Sequence, residues 1–200
     1  MPQYRPQDHY FKQAKVEGYA SRAAFKLKEI QEKYHIIRPG DRVLDLGCAP
    51  GGWLQPLAQF VGKQGRIVGV DPEPVRIELP KIITCLVADI AQVVENSALV
   101  LEPLGDLANV VLSDMAPATS GTSFLDKLRA CALAELAWEC AQQTLAPGGH
   151  FVVKIFDGPD IPALRKQLTA AFQKVTTMTP KASRRGSVER YFVCQEKLRS

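Results

Sequence analysis

A chain of 200 residues with 46% hydrophobic side chains can bury one good core, and that length favours a single domain over residues 1–200 rather than two small ones. No apolar run approaches the roughly 18 residues of a membrane span, and the opening M-P-Q-Y-R-P-Q-D-H-Y has no apolar signal core, so the expectation is a cytoplasmic protein with no membrane partner. Five cysteines, an odd set without a C-x-x-C pair, argue for reduced core thiols rather than a disulfide framework or a zinc site.

The net charge of +4 is unevenly spread. Residues 1–40 carry 8 Lys+Arg against 4 Asp+Glu, residues 41–160 carry 8 against 15, and residues 161–200 carry 9 against 2. An acidic middle between basic ends suggests a polyanion gripped by the termini and presented to the core; solvated faces would give the same counts.

In chain order, residues 1–20 form a basic N-terminal arm whose first twelve or so residues, dotted with Tyr4, Tyr10 and Phe11, are expected to be partly ordered. A helix is expected over 21–34, capped by Ser21, with Ala24, Leu27, Ile30 and Gln31 as its inner stripe and Arg22, Lys26, Lys28 and Lys33 on its polar faces. Pro39-Gly40 punctuates before V-L-D-L-G-C-A-P-G-G-W, Val43 to Trp53. Its apolar, β-branched start suits a central parallel strand buried on both faces. The glycines Gly47, Gly51 and Gly52 then let a ligand come close to the main chain before a helix from Trp53 to Val61.

About 24 residues after Gly47 a second strand, Arg66 to Val70, ends in Asp71, where a doubly wound fold puts an acid that grips ribose hydroxyls. The spacing Gly47-x-x-x-Gly51-Gly52 is not G-x-G-x-x-G and leaves no bed for a pyrophosphate. A nucleoside without phosphates fits better than NAD, and S-adenosylmethionine is the candidate. In isolation, a tight strand-to-helix turn without a ligand would read the same.

The proline-rich P-E-P-V-R-I-E-L-P is expected as loop. A third strand over Ile82 to Val87, a modest helix over Val93 to Leu101 and a fourth strand over Asn109 to Leu112 follow. A long helix then runs from Leu125 to Leu145 behind Ser123, and Pro147-Gly148-Gly149 stops it. The remaining elements are a strand from His150 to Phe156, a helix from Ile161 to Phe172, and strands over Lys174 to Met178 and Tyr191 to Gln195. Alternating strands and helices predict an α/β fold: a seven-stranded, mostly parallel sheet with one antiparallel strand at the end and helices on both faces, the Rossmann-like architecture of S-adenosylmethionine-dependent methyltransferases. Asp71, Asp89 and Asp114 then fall at the carboxyl ends of strands two, three and four, the edge where such sheets bind ligands. Lys154 interrupts the apolar F-V-V-K-I-F, where an ammonium must snorkel outward or meet a partner, and Asp114 ends the adjacent strand.

The segments S-R-A-A-F-K-L-K-E-I, D-L-G-C-A-P-G-G-W, S-D-M-A-P, S-G-T, F-V-V-K-I-F and R-R-G-S-V-E-R-Y together resemble the FtsJ/RrmJ (RlmE) family of ribosomal RNA 2′-O-ribose methyltransferases, from about Tyr10 to Val193. The resemblance implies a catalytic Lys-Asp-Lys-Glu tetrad at Lys26, Asp114, Lys154 and Glu189. It implies S-adenosylmethionine contacts at Gly51, Trp53, Asp71, Asp89 and Asp114; apart from the resemblance, the reaction requires no metal, and His9, His35 and His150 show no ligand spacing. Cys48 stands where the family pattern has alanine, and Arg190 also departs from it. The implied substrate is a uridine of the large-subunit ribosomal RNA, in the assembled large ribosomal subunit, acted on by a monomer; a transfer RNA anticodon-loop enzyme shares the tetrad, and the compact chain favours the ribosomal kind.

The chemistry gives these residues independent reasons. A ribose hydroxyl is a poor nucleophile, so the enzyme must hold it in line with an activated methyl and help its proton leave. Lysine ordinarily keeps its proton at neutral pH, so Lys154 can take one only if Lys26 and desolvation outweigh Asp114 and Glu189; orienting the hydroxyl is the alternative. Candidate phosphate contacts are Arg5, Lys12, Lys15 and Arg22 at one end and Lys181, Arg184 and Arg185 at the other. Amino-group methyltransferases would show D/N-P-P-F/Y where this chain has D-M-A-P. A noncatalytic RNA-binding module would explain the basic termini but not four polar residues around one sheet edge.

Overall fold

A computed structural model describes residues 7–117, 123–156, 158, 160–183 and 189–199. The elements run α1 (Gln7–Val16), α2 (Ala23–Tyr34), β1 (Arg42–Leu46), α3 (Leu54–Val61), β2 (Arg66–Asp71), β3 (Ile83–Val87), α4 (Ile90–Glu95), α5 (Ala98–Leu104), β4 (Ala108–Ser113), α6 (Ser123–Thr144), β5 (Leu145–Phe156), α7 (Ile161–Ala171), β6 (Phe172–Met178) and β7 (Glu189–Lys197). The sheet order is β3-β2-β1-β4-β5-β7-β6. β7 alone runs antiparallel, to β5 on one side and β6 on the other, which is the predicted topology. The order reverses between β1 and β4, and a crevice opens there at the carboxyl edge.

Strand alternation divides the core into two layers. Leu44, Leu46, Val68, Val70, Val111, Phe151 and Val153 point to the side covered by α4, α5, α6 and α7. Val43, Ile67, Val110, Leu112, Val152, Tyr191 and Val193 point to the side covered by α2 and α3. Both faces of β1 are therefore buried, as its near-continuous apolar run demands.

Four elements differ from expectation. The arm contains α1, held by a small cluster in which Ala14 and Tyr10 meet Phe25 of α2 and Ala182 beyond β6; tertiary docking orders a segment whose own pattern is weak. The single helix expected over Val93 to Leu101 is two short ones, because Asp89 starts α4 earlier through a capping box with Gln92 and Asn96 ends it. β5 begins at Leu145, and a bulge between its pairings to Ala108 and Val110 absorbs the proline and glycines. α2 begins at Ala23 with Arg22, not the expected Ser21, at its N-cap and no side-chain capping bond; Ser21 Oγ instead accepts from Ala23 N at 3.2 Å, one residue ahead of the cap.

Candidate active site

The glycine turn closes under β1 by two bonds to one acceptor: the N–H groups of Gly47 and Cys48 donate to Val70 O at 2.8 and 3.2 Å. Gly47 has φ +82, and a Cβ there would lie 2.6 Å from Met115 Cγ and 3.2 Å from Met115 backbone atoms; only glycine lets the turn and the end of β4 approach so closely. Between them lies a cavity of about 330 Å³ lined by Gly47, Ala49, Asp71, Asp89, Asp114 and Met115, with Leu46, Val70, Ile90 and Leu133 among its apolar walls. Among the described lining residues there are three carboxylates and no lysine or arginine. That donor set suits hydroxyls and positive charge and repels phosphates. A second hollow of about 460 Å³ shares Ala49 and Asp71 and extends along Glu73, Pro74 and Ile77.

Asp71 braces the turn as well as facing the cavity, since its Oδ2 accepts from Ala49 N at 3.0 Å and its Oδ1 from Glu73 N at 2.9 Å. Asp89 caps α4, its Oδ1 accepting from Ala91 N at 2.9 Å. Gly51 and Trp53 are not among the described residues that line the cavity. Gly51 N donates to Cys48 O at 2.7 Å, and the buried Trp53 indole donates to Ala23 O at 2.8 Å, tying the turn to α2. Asp45, wholly buried on β1, has no hydrogen-bond donor on either carboxyl oxygen among the described residues. Burial, then the nearby Asp114, Cys85 and Asp71, pushes its carboxyl well above the usual range, a shift that favours the neutral acid.

On the other side of the same edge the four tetrad residues converge. Lys154 and Tyr191 are ladder partners, and Phe156 faces Glu189, so Lys154, Glu189 and Tyr191 share one face. α2 delivers Lys26 to it. Lys26 Nζ lies 2.9 Å from Glu189 Oε1 and 3.8 Å from Asp114 Oδ1. Lys154 Nζ lies 3.1 Å from that same Asp114 oxygen and donates to Asp114 O at 3.0 Å. Their side chains are only 7% (Lys26), 15% (Asp114), 7% (Lys154) and 11% (Glu189) exposed. Lys26 is thus buried, not on a polar face as helical periodicity alone suggested, because it points into the one charged niche of an otherwise apolar helix face.

Tyr191 is the residue the sequence reading missed. Its hydroxyl donates to Asp114 Oδ1 at 2.5 Å and accepts from Lys26 Nζ at 3.2 Å. Burial, then the neighbouring Asp114 and Glu189, raises its phenol well above the ordinary value. The signal was present, since strand period two puts Tyr191 on the face of Glu189.

Of the expected RNA contacts, Lys12, Lys15 and Lys181 are exposed and Arg22 is half-buried. The cluster of Ala14, Phe25 and Ala182 brings the two basic ends together against α2. Arg5, Arg184 and Arg185 lie outside the described residues.

A doubly wound sheet with a seventh antiparallel strand, a phosphate-averse cavity at its switch point and a charged cluster beside it define a Rossmann-like methyltransferase. The profile of the FtsJ-like methyltransferases matches residues 19–197, and the chain belongs to that family. It is 44% identical over 190 residues to ribosomal RNA large subunit methyltransferase E of Syntrophobacter fumaroxidans, covering 95% of each chain. It is 45% identical over 188 residues to the protein of that name in Alkalilimnicola ehrlichii, covering 94% of this chain and 89% of the other. Among solved structures, one described as a ribosomal RNA methyltransferase of Plasmodium falciparum superposes with a TM-score of 0.78 at 28% identity, over 91% of this chain and all of that one.

Proposed function

We propose that this protein transfers a methyl group from S-adenosylmethionine to the 2′-hydroxyl of a uridine ribose in large-subunit ribosomal RNA, with the assembled large subunit as substrate and the enzyme working as a cytoplasmic monomer. The observation that carries the reading is the Lys26-Asp114-Lys154-Glu189 cluster, joined to the cavity through Asp114. The names of the relatives support the ribosomal RNA assignment.

The cavity residues fit this cofactor. Asp71 would hold the ribose hydroxyls, Asp89 the far end of the nucleoside, and Asp114 the positively charged side. When bound, S-adenosylmethionine supplies a methyl group already activated by its sulfonium. The chain's own work is to hold the hydroxyl and manage its proton. As the neutral amine that the reaction requires, lysine has two hydrogens and a lone pair; Asp114 engages Lys154 at two positions, and the lone pair at the third is assigned to the ribose hydroxyl oxygen and its proton. Lys154 aligns that oxygen and takes its proton as the new bond forms. Lys26 and Tyr191 fix Asp114, and Glu189 fixes Lys26. Lys12, Lys15, Arg22 and Lys181 hold the flanking phosphates, together with the sequence-implied Arg5, Arg184 and Arg185.

The test uses large subunits from cells lacking the enzyme, labelled S-adenosylmethionine, and mapping of 2′-O-methyl sites in ribosomal and transfer RNA. The expected result is one ribose-methylated uridine in the large-subunit RNA, lost with Lys154→Ala while cofactor still binds. Label on a base, label confined to transfer RNA, or substantial turnover by that variant would each refute it.

A further inference from the structure

Asp45, Gly69 and Cys85 stand in register across β1, β2 and β3, on the face covered by α2 and α3. Gly69 leaves a gap in that row, and Cys48 fills it from the turn above. A Cβ built on Gly69 would lie 2.8 Å from Cys48 Sγ and 3.0 Å from Cys48 Cβ. The glycine therefore seats the Cys48 thiol beside Cys85, the ladder partner of Gly69 on β3. Cys48 is buried and Cys85 half-buried, so one sulfur can meet a small reagent and the other waits behind it.

We propose that Cys48 and Cys85 are a modification site: hydrogen peroxide converts them to a reversible disulfide, and that bond weakens cofactor binding. The second half rests on the cofactor reading above. The Cys85 sulfur attacks one peroxide oxygen, the O–O bond breaks, and water leaves with Cys85 as the sulfenic acid. The Cys48 sulfur then displaces that oxygen as a second water, and the S–S bond forms. Both thiol hydrogens leave in the waters, and the two electrons reduce the peroxide. The contact with Cys48 lowers the Cys85 thiol below its ordinary value, while the same contact and burial raise Cys48, which suits attacking and resolving roles respectively.

The consequence for the cavity follows from chain position. Cys48 lies between Gly47 and Ala49, both cavity walls, and Ala49 N is the donor that holds Asp71 Oδ2. A disulfide fixes its two Cβ atoms about 3.8 Å apart, so it binds the turn to β3 from beneath and competes with that hydrogen bond. Cys140 and Cys194 pack in the other core layer and serve as internal controls.

The test treats the reduced full-length chain with hydrogen peroxide, quenches with alkylating reagent and maps peptides. A peptide pair linking Cys48 to Cys85, reversed by dithiothreitol and absent from Cys48→Ala and Cys85→Ala, is expected. In Cys48→Ala, dimedone should trap the sulfenic acid on Cys85. A linkage through other cysteines, or oxidation that leaves no Cys48–Cys85 peptide, overturns the pairing. S-adenosylhomocysteine titrated calorimetrically should bind the oxidised chain roughly tenfold more weakly, the scale of one lost wall hydrogen bond. Equal affinity in both states overturns the control of binding. A reduced chain that binds none overturns the cofactor reading and the control with it, while the peptide map still decides the pairing.

Discussion

Replacing Tyr191 with phenylalanine removes one oxygen from the middle of the charged cluster and leaves the ring's packing against Trp53 in place. That oxygen donates to Asp114 at 2.5 Å and accepts from Lys26 at 3.2 Å. Hydrogen bonds to charged partners are worth about 1.5–3 kcal/mol each. Both partners keep a second contact, Asp114 with Lys154 at 3.1 Å and Lys26 with Glu189 at 2.9 Å, so the loss is less than the sum, about 2–3 kcal/mol. For a chain of this size each kcal/mol moves Tm by about 2–4 °C, which predicts a fall of roughly 4–12 °C. Methyl transfer should drop by no more than about tenfold, because Lys154 still rests on Asp114. The sign of the pH dependence follows from the raised phenol: its contribution is fully present below the unfolded value near 10 and is lost as pH rises through the higher folded value. The deficit of Tyr191→Phe should therefore stay constant over roughly pH 6 to 9 and shrink above about pH 10. Scanning calorimetry across that range, paired with initial rates, checks it. A Tm within a degree of the parent at neutral pH would refute the claim that this hydroxyl carries load.

Lys26→Met leaves Asp114 and Glu189 buried together without their shared cation, and urea unfolding should report a loss of about 3–5 kcal/mol; an unchanged midpoint would contradict the pairing. Asp45→Asn should gain on the parent as pH rises. A carboxyl whose folded value is raised contributes stability below about pH 3.9 and loses it on going up from there, whereas the amide does not titrate. The Tm difference, variant minus parent, should be more positive at pH 8 than at pH 5, and a flat or falling difference would count against a neutral Asp45. The triple variant Lys12→Gln, Lys15→Gln, Lys181→Gln should lower the slope of log affinity for RNA against log salt by about 2. A slope unchanged in filter binding would remove these residues from the RNA surface.

How much could be read beforehand depended on whether a residue's partners were close in sequence. β1 and its glycine turn were legible because an apolar run ending in a carboxylate and then glycines has few other uses. Lys154 was legible as an anomaly, a charge in an apolar strand. Lys26 was not legible from periodicity, since among Arg22, Lys28 and Lys33 it looks like any other basic residue of a polar face. Its burial is decided by Glu189, supplied by the last strand. The early start of α4 had a local signature, Asp89 followed three residues later by Gln92. The order in α1 had none, since it comes from Phe25 and Ala182.

The two halves of the site lie on opposite sides of the sheet, and Asp114 is where they join. The cavity draws its apolar walls from the side of Leu46, Val70 and Ile90, and the tetrad sits on the side of Leu112, Val152 and Tyr191. A sheet is impermeable through its middle, so the two can touch only past the ends of its strands, and β4 ends one residue before Asp114. One oxygen of that carboxylate receives Tyr191 at 2.5 Å, Lys154 at 3.1 Å and Lys26 at 3.8 Å. Contacts from a strand, another strand and a helix, one of them the ion pair with Lys26, cannot all follow a moving acceptor. The acceptor is therefore held where the cavity and the cluster meet, and Lys154 acquires its position relative to the cavity from Asp114. An Asp114 substitution should on this ground disturb cofactor affinity and turnover together, whereas Lys154 substitutions separate them.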